Sequence, residues 1–160
     1  MADGGASELV MLITGLLTAG IVASLLVASW GSLAATVDNN QSEIEVNTKT
    51  RAALASDPSQ ISWNQTDCNL TIHVQNTGEL RLKTDSIGVV VNGTAATINQ
   101  TGLLDGATSW LTGEVAELNV CPTGLTLVPG EEIPLFVIVR SVEHKGISGQ
   151  NSFSEVIRIG

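Results

Sequence analysis

"NLTIHVQN", Asn69 to Asn76, alternates apolar and polar residues. Leu70, Ile72 and Val74 fall on one face, and Thr71, His73 and Gln75 on the other. That period of two predicts a half-buried strand. The "NTG" at residues 76–78 turns the chain into "ELRLKT", and "SIGVVVNGT" predicts a further strand that ends in an Asn-Gly turn. "VAELNVC" alternates through Leu118 and Val120, and "GLTLVPGEEIPLFVIVRSVE" predicts two strands about a Pro129-Gly130 break. "SFSEVIRI" places Phe153, Ile157 and Ile159 opposite Val156 and Arg158. About seven or eight short strands, punctuated by turns and without an amphipathic helical pattern, predict an all-β immunoglobulin-like β-sandwich over residues 61–160.

Upstream the chain has a different character. "GASELVMLITGLLTAGIVASLLVASW", Gly5 to Trp30, carries one charge, Glu8, and no charged residue occurs from Leu9 to Val37. A cleaved signal, a retained anchor and a polymerisation helix are the three readings. The 22 residues from Leu9 to Trp30 span about 33 Å as a helix, against a hydrocarbon core of about 30 Å. A signal peptide has a basic start and an apolar core of about 7–15 residues, whereas "MADGG" has no Lys or Arg. An uncleaved anchor is the better fit, with Trp30 at the interface. The expected organisation is a tail and transmembrane helix at 1–37, a polar stalk at 38–60 and the sandwich at 61–160. The stalk, "DNNQSEIEVNTKTRAALASDPSQ", ends in a Pro-containing stretch, and the helix is expected to run on into it through Ala52 to Ala55.

Small residues pattern the helix. Gly15, Ala19 and Ala23 repeat at every fourth position, and Gly20, Ser24 and Ala28 do so on an adjacent row. Such rows let helix backbones approach closely in lipid, although Gly, Ala and Ser are common in any membrane helix. Glu8 suits the headgroup level and the helix start.

A net charge of −9 and a pI near 4.4 argue against nucleic-acid binding, since neutralising phosphates needs a basic excess. The charge rule for membrane orientation is silent, because the first basic residue is Lys49. Two other features favour an outer location for the sandwich. Cys68 and Cys121 are the two cysteines, which suggests one disulfide in an oxidising space; two free buried thiols are the alternative. Five N-x-[ST] sequons, at Asn40, Asn64, Asn69, Asn92 and Asn99, exceed the roughly two expected by chance and are candidate N-glycosylation sites.

Catalytic patterns are lacking. His73 and His144 stand 71 residues apart, His73 on the polar face of its strand, where a solvated role is the ordinary one. There is no GxSxG, P-loop or HExxH, no CxxC for zinc and no DxDxDG for calcium. Glu131 and Glu132 follow Pro-Gly and fit a turn. We expect no enzyme, no catalytic residue, no metal and no cofactor; binding or assembly is what remains.

A short tail, one small-residue-rich helix and a β-sandwich together resemble the type IV pilin-related proteins of archaea. "LTIHVQNTGELRLKTDSIGVVVNG", Leu70 to Gly93, resembles the strand–NTG–strand–VNG run of archaellins and of the archaellum accessory proteins FlaF and FlaG. "ASELVMLITGLLTAGIVASLLV", Ala6 to Val27, is similar to the N-terminal helix of that group. The likeness covers about 45 residues, in degenerate motifs. It implies an archaellin-like sandwich, with Glu8 standing for the acid near a pilin's mature start. A pilin leader is basic, and "MAD" or "MADG" is not, which favours the FlaF/FlaG group. That resemblance implies a fixed, membrane-anchored part of the archaellum motor, with the sandwich self-associating and binding the S-layer protein. Its other implied partners are the membrane, a FlaF/FlaG partner and archaellin. A filament subunit, archaellin-like or pilin-like, is the alternative. A surface domain that binds ligand or carbohydrate is a third.

Overall fold

The computed structural model describes residues 4–160, so the "MAD" expected as part of a leader or tail lies outside the described residues. Two compact units divide at Gln41/Ser42. One long helix, α1, occupies Gly4–Lys49. No proline interrupts it before Pro58, and its apolar stretch makes it long and apolar enough to cross a membrane. Every residue from Gly5 to Gln41 is exposed.

The second unit, residues 42–160, contains the last two turns of α1 and eight strands. These are β1 (Ala52–Leu54), β2 (Ser62–Asn64), β3 (Asn69–Asn76), β4 (Gly88–Val91), β5 (Thr94–Leu103), β6 (Val115–Cys121), β7 (Glu132–Arg140) and β8 (Gln150–Arg158). All named pairings are antiparallel, and the order along the path is β1-β3-β6-β5-β4-β7-β8. β2 shares the edge of β3 with β1, pairing Asn64 with Asn69 while β1 pairs Ala52 with Asn76. β5 belongs to both layers: Thr94–Ala96 pair with β4, and Thr97–Leu103 pair with β6. On the opposite side, a parallel bridge between Ile61 and Ile159 joins the layers, with Gly160 N–H donating to Ile61 O at 2.9 Å. The result is an antiparallel β-sandwich of immunoglobulin-like kind.

The alternation in β3 is borne out. Leu70, Ile72 and Val74 are fully buried and meet Val120, Leu118 and Ala116 of β6 across the ladder. Val89, Val91, Ile133, Leu135, Val137, Val139 and Ile157 supply the facing layer. Burying one such side chain contributes about 1.5–3 kcal/mol, so these two faces dominate the stability of the domain. Trp110 lies in the same core, its ring N–H donating to Glu114 O at 3.0 Å.

Three expectations are corrected. "ELRLKT" forms no strand: Leu82 is buried but makes only single bridges, to Trp110 and Ser141. "GLTLV" is irregular too, because Pro122, Gly124 (φ +85°) and Pro129 leave no run of ladder bonds, though Leu127 is buried. "TAATINQTGL" instead supplies β5, the strand that the alternation does not reveal.

The third correction concerns 38–60. Residues 42–60 are built into the domain, and the helix ends at Lys49 rather than continuing through Ala52 to Ala55. Val46 is 2% exposed and Thr50 is fully buried, its hydroxyl donating to Val46 O at 2.7 Å. Helix ends leave carbonyls without intrahelical partners. Here Lys49 O accepts from Glu79 N–H (2.9 Å) and Leu80 N–H (3.3 Å), so the 78–80 loop caps the helix. Gly78 permits this approach, since a Cβ there would collide with Lys49 O and come within 2.5 Å of Arg51 N. Gly149 plays the same part on the other side, where a Cβ would lie 2.7 Å from Val46 O and collide with the Thr50 hydroxyl.

Candidate functional site

Three surfaces carry the residues singled out above. The first is the exposed length of α1. Gly15, Ala19, Ala23, Gly20, Ser24 and Ala28 all lie on it, as does Glu8, and none touches another part of its unit closely enough to be buried. A Cβ added at Gly15 or Gly20 would meet nothing within 4 Å. The hydroxyls in this stretch turn inward: Thr14 donates to Val10 O (2.7 Å), Thr18 to Thr14 O (2.9 Å) and Ser24 to Ile21 O (2.8 Å). Hydroxyls satisfied within the helix cost little in hydrocarbon, where no water can accept from them. Large apolar side chains surround the axis on every side. A helix of that kind suits lipid or the centre of a bundle.

The second surface surrounds the disulfide. Cys68 and Cys121 are bonded, their Cα atoms 5.1 Å apart, within the ordinary range for such bridges. The bond ties the β2–β3 turn to the end of β6. Three sequon asparagines gather there. Asn64 Oδ1 accepts from the Thr66 and Asp67 amides (3.0 and 3.3 Å), and its side-chain amide donates to Asp67 Oδ2 at 2.7 Å. Asn69 is half-buried at the start of β3. Asn99 is exposed where the β5–β6 register shifts, and its amide reaches Cys68 O at 3.5 Å. Asn92 stands apart at the tip of the β4–β5 hairpin, exposed and with φ +47°, followed by Gly93 at φ +77°. Asn40 is exposed on α1.

The third surface is the outer face of β3 and β6. His73 lies on that face as its strand position requires, yet it is engaged. Its backbone N–H donates to Ser56 Oγ (2.7 Å), and the same oxygen is 3.1 Å from His73 Nδ1. His73 Nε2 lies 3.5 Å from Glu117 Oε2. Sequence reasoning missed this trio, because Ser56 and Glu117 are far from His73 in the chain; the one available signal was that His73 and Glu117 occupy polar faces of neighbouring strands. The Ala55 and Ser56 amides are both turned to His73 O, at 2.8 and 3.4 Å, so neither is free to stabilise an oxyanion. The trio fastens the segment after β1 to β3. His144 is elsewhere, bridged to Ile147. Among the described residues, no group of three or more His, Cys, Asp or Glu side chains is arranged to hold a metal ion. Glu131 and Glu132 divide between a turn and the start of β7, with Glu131 Oε2 accepting from Val128 N–H at 3.2 Å.

No family model matches the chain, and no curated protein matches it. Among solved structures, it is similar to the chaperone DraB of Escherichia coli, at 14% identity and a TM-score of 0.36 over 69% of this chain and 53% of that one. It is also similar to AggA, the major subunit of aggregative adherence fimbriae type I from Escherichia coli. There the identity is 14% and the TM-score 0.27, over 69% of this chain and 95% of that one. The chain thus spans about half the length of the chaperone it resembles. At these scores the two likenesses carry no weight for function.

Proposed function

We propose that this chain is a membrane-anchored structural component of the archaellum motor, a stator-like protein of the FlaF/FlaG group. α1 holds it in the bilayer, and its sandwich lies outside, self-associating and binding the S-layer so that torque is resisted. The observation that carries the reading is the exposed apolar surface of residues 9–37, which is charge-free and in which Thr14, Thr18, Ser24, Ser32 and Thr36 donate their hydroxyls to backbone carbonyls of the same helix. Exposing so much apolar area to water is unfavourable at about 25 cal/mol per Å², which lipid would relieve. The Cys68–Cys121 bond supports an oxidising location for the domain. The resemblance of Leu70–Gly93 to archaellum proteins supports the motor assignment. A rotor needs a fixed counterpart, and a helix free in fluid lipid cannot resist torque unless its outer domain grips something rigid.

On this reading the sequons face the glycosylation machinery. Asn92, at an exposed hairpin tip, is the best presented, while the amide of Asn64 is occupied by Asp67. Pull-down of isolated S-layer protein by the full chain, in detergent, tests the outer contact; failure to retain it contradicts that contact.

A filament subunit is the second reading. The uncharged stretch from Leu9 to Val37 is 29 residues, more than the roughly 20 that a single crossing needs, and a bundle of helices would use the excess. The mature N-terminus, found by mass spectrometry, separates the two. A chain beginning at Met1 or Ala2 favours the anchor, and one beginning at Gly4 or Gly5 favours the polymer.

A further inference from the structure

β8 ends one layer of the sandwich, and the backbone on its outer edge is covered only at the two ends. At the start, Gln150 N–H donates to Asn47 Oδ1 at 2.8 Å. At the finish, Arg158 N–H donates to Pro58 O (2.7 Å), and Arg158 O accepts from Ile61 N–H (2.9 Å). The β7–β8 register runs from Gln150 to Arg158 without a shift, so the backbone groups of every second residue face the same way. Those of Ser152, Ser154 and Val156 therefore face outward too, and among the described residues nothing pairs with them. Ser154, Glu155 and Val156 are exposed in succession.

Ser152 opens on a cleft of about 560 Å³ that lies between β8, Ala52 and the last turns of α1. The cleft is lined by donors, and no Asp or Glu lines it. Asn47 Oδ1 is tied to Gln150 N–H, and Asn151 Oδ1 to Ala52 N–H at 3.1 Å, so each of these side chains has its amide N–H groups to spare. Arg51 Nε donates to Thr48 O at 3.2 Å, which fixes the guanidinium and leaves its other N–H groups unpaired. The helix end adds no open acceptor. The carbonyls of residues 46–49 are taken by Thr50, by Arg51 and by the amides of Glu79 and Leu80. Glu45 and Glu79 are paired with Lys49.

We propose that this edge and cleft bind the extended C-terminal end of a second polypeptide, with its free carboxylate held at Arg51. Every residue involved belongs to the unit 42–160, so the inference goes beyond the anchored reading and does not depend on it. The open edge calls for an extended backbone, which offers donors and acceptors at the spacing of Ser152, Ser154 and Val156. The covered ends call for a chain end. Asn47 blocks the edge at Gln150, so an added strand has to stop beside Ser152, and a second copy's β8 running straight through does not fit. Charge then sets the direction. A parallel strand would begin there with its ammonium, whereas an antiparallel one ends there with its carboxylate, which the amides and the guanidinium favour. In that pairing Ser152 N–H donates to the carboxylate itself, and the terminal residue's N–H donates to Ser152 O. Counting back, the penultimate residue falls opposite half-buried Phe153 and suits an apolar side chain. The fourth residue from the end falls opposite exposed Glu155 and suits Lys or Arg.

The test uses the full chain in detergent micelles and the fluorescein-labelled peptide Val-Lys-Ser-Val-Thr, as the free acid and as the C-terminal amide. Fluorescence anisotropy reads binding. The expected result is saturable binding of the free acid, about tenfold tighter than that of the amide. Arg51→Gln should weaken the free acid by about tenfold and leave the amide unchanged. Ser152→Pro removes an outward N–H and no bond of the β7 ladder, and should weaken the free acid by at least about tenfold. Ser154→Pro makes the same test one step along the edge, and a thermal melt of each variant shows which of the two keeps the fold. No saturable binding, or equal affinity for acid and amide, would overturn the proposal. Binding that responds to Arg51→Gln but survives a folded proline variant would mean a bare carboxylate site without strand addition, and would overturn it as well.

Discussion

The side-chain amide of Asn76 donates to the carbonyl oxygen of Trp110 at 3.1 Å, joining the end of β3 to a core residue 34 positions away. The same amide donates to Leu80 O at 2.9 Å, and Asn76 Oδ1 accepts from Gly78 N–H at 3.0 Å. Asn76 is fully buried, so these bonds have no water to replace them. It holds together the loop that caps α1 and the loop that carries Trp110.

Replacing Asn76 with Ala should therefore cost more than a surface hydrogen bond would. It leaves Leu80 O without a partner, while Trp110 O still accepts from Leu82 N–H and Gly78 N–H still donates to Arg51 O, for a loss of about 2 kcal/mol and a drop in Tm of roughly 5–10 °C. A thermal melt of the full chain in detergent, followed by far-ultraviolet circular dichroism, measures it. The adjacent position on the outer face of β3 is the comparison. Gln75→Ala removes one exposed bond to Gly113 O and should cost under about 1 kcal/mol.

Glycine at positions 78 and 149 is required by space. Gly78→Ala forces a Cβ into the backbone of Lys49 and Arg51, and Gly149→Ala forces one into Val46 and Thr50. Each should destabilise the domain by about 2–4 kcal/mol, because backbone cannot move aside cheaply. Gly102→Ala is the control. A Cβ there meets nothing within 4 Å, and the change should be within about 1 kcal/mol of neutral in the same melt.

The disulfide closes a 53-residue separation, which the chain-entropy account values at about 4 kcal/mol at the upper end. Cys68→Ser, or reduction of the intact protein, should lower Tm by roughly 5–15 °C. The change should leave the far-ultraviolet spectrum at 25 °C near that of the parent.

Small residues on the apolar part of α1 give a prediction of a different kind. Gly15→Leu and Ala19→Leu add bulk at exposed helix positions that belong to the other compact unit, so the sandwich should melt unchanged. Association between helices in the bilayer should weaken, read as lower cross-linking yield in vesicles. Unchanged yield would mean that these rows are not an interface.

Legibility in the sequence follows physical cause. β3 and β6 are readable because each lies with one face in the core and the other in water, which imposes a period of two on Leu70, Ile72, Val74 and on Ala116, Leu118, Val120. β5 is not. Its exposure alternates only from Thr94 to Asn99, where Thr94 and Ala96 share the half-buried face with Ile98, and the register shift at Ile98/Gln100 then breaks the period as the strand crosses between layers, so no apolar alternation marks it. The "NTG" turn is visible, but not that its Asn is a buried bracket, because Leu80 and Trp110 present backbone rather than side chains to it. Residues 42–60 look like a stalk for a similar reason. Val46, Thr50 and Ala52 are few among polar neighbours, and the close approaches around them run to Gly78 and Gly149, remote in the chain. The Ser56–His73–Glu117 trio is hidden in the same way.

The most direct measurement is the side and tenacity of attachment in cells. A membrane-impermeant thiol label is applied to intact cells carrying Thr123→Cys, an exposed position in the turn after β6, and the membranes are then washed with alkaline carbonate. The account predicts that the label reaches the domain from outside and that only detergent releases the chain. Labelling only after the cells are broken open, or release by carbonate alone, would contradict it.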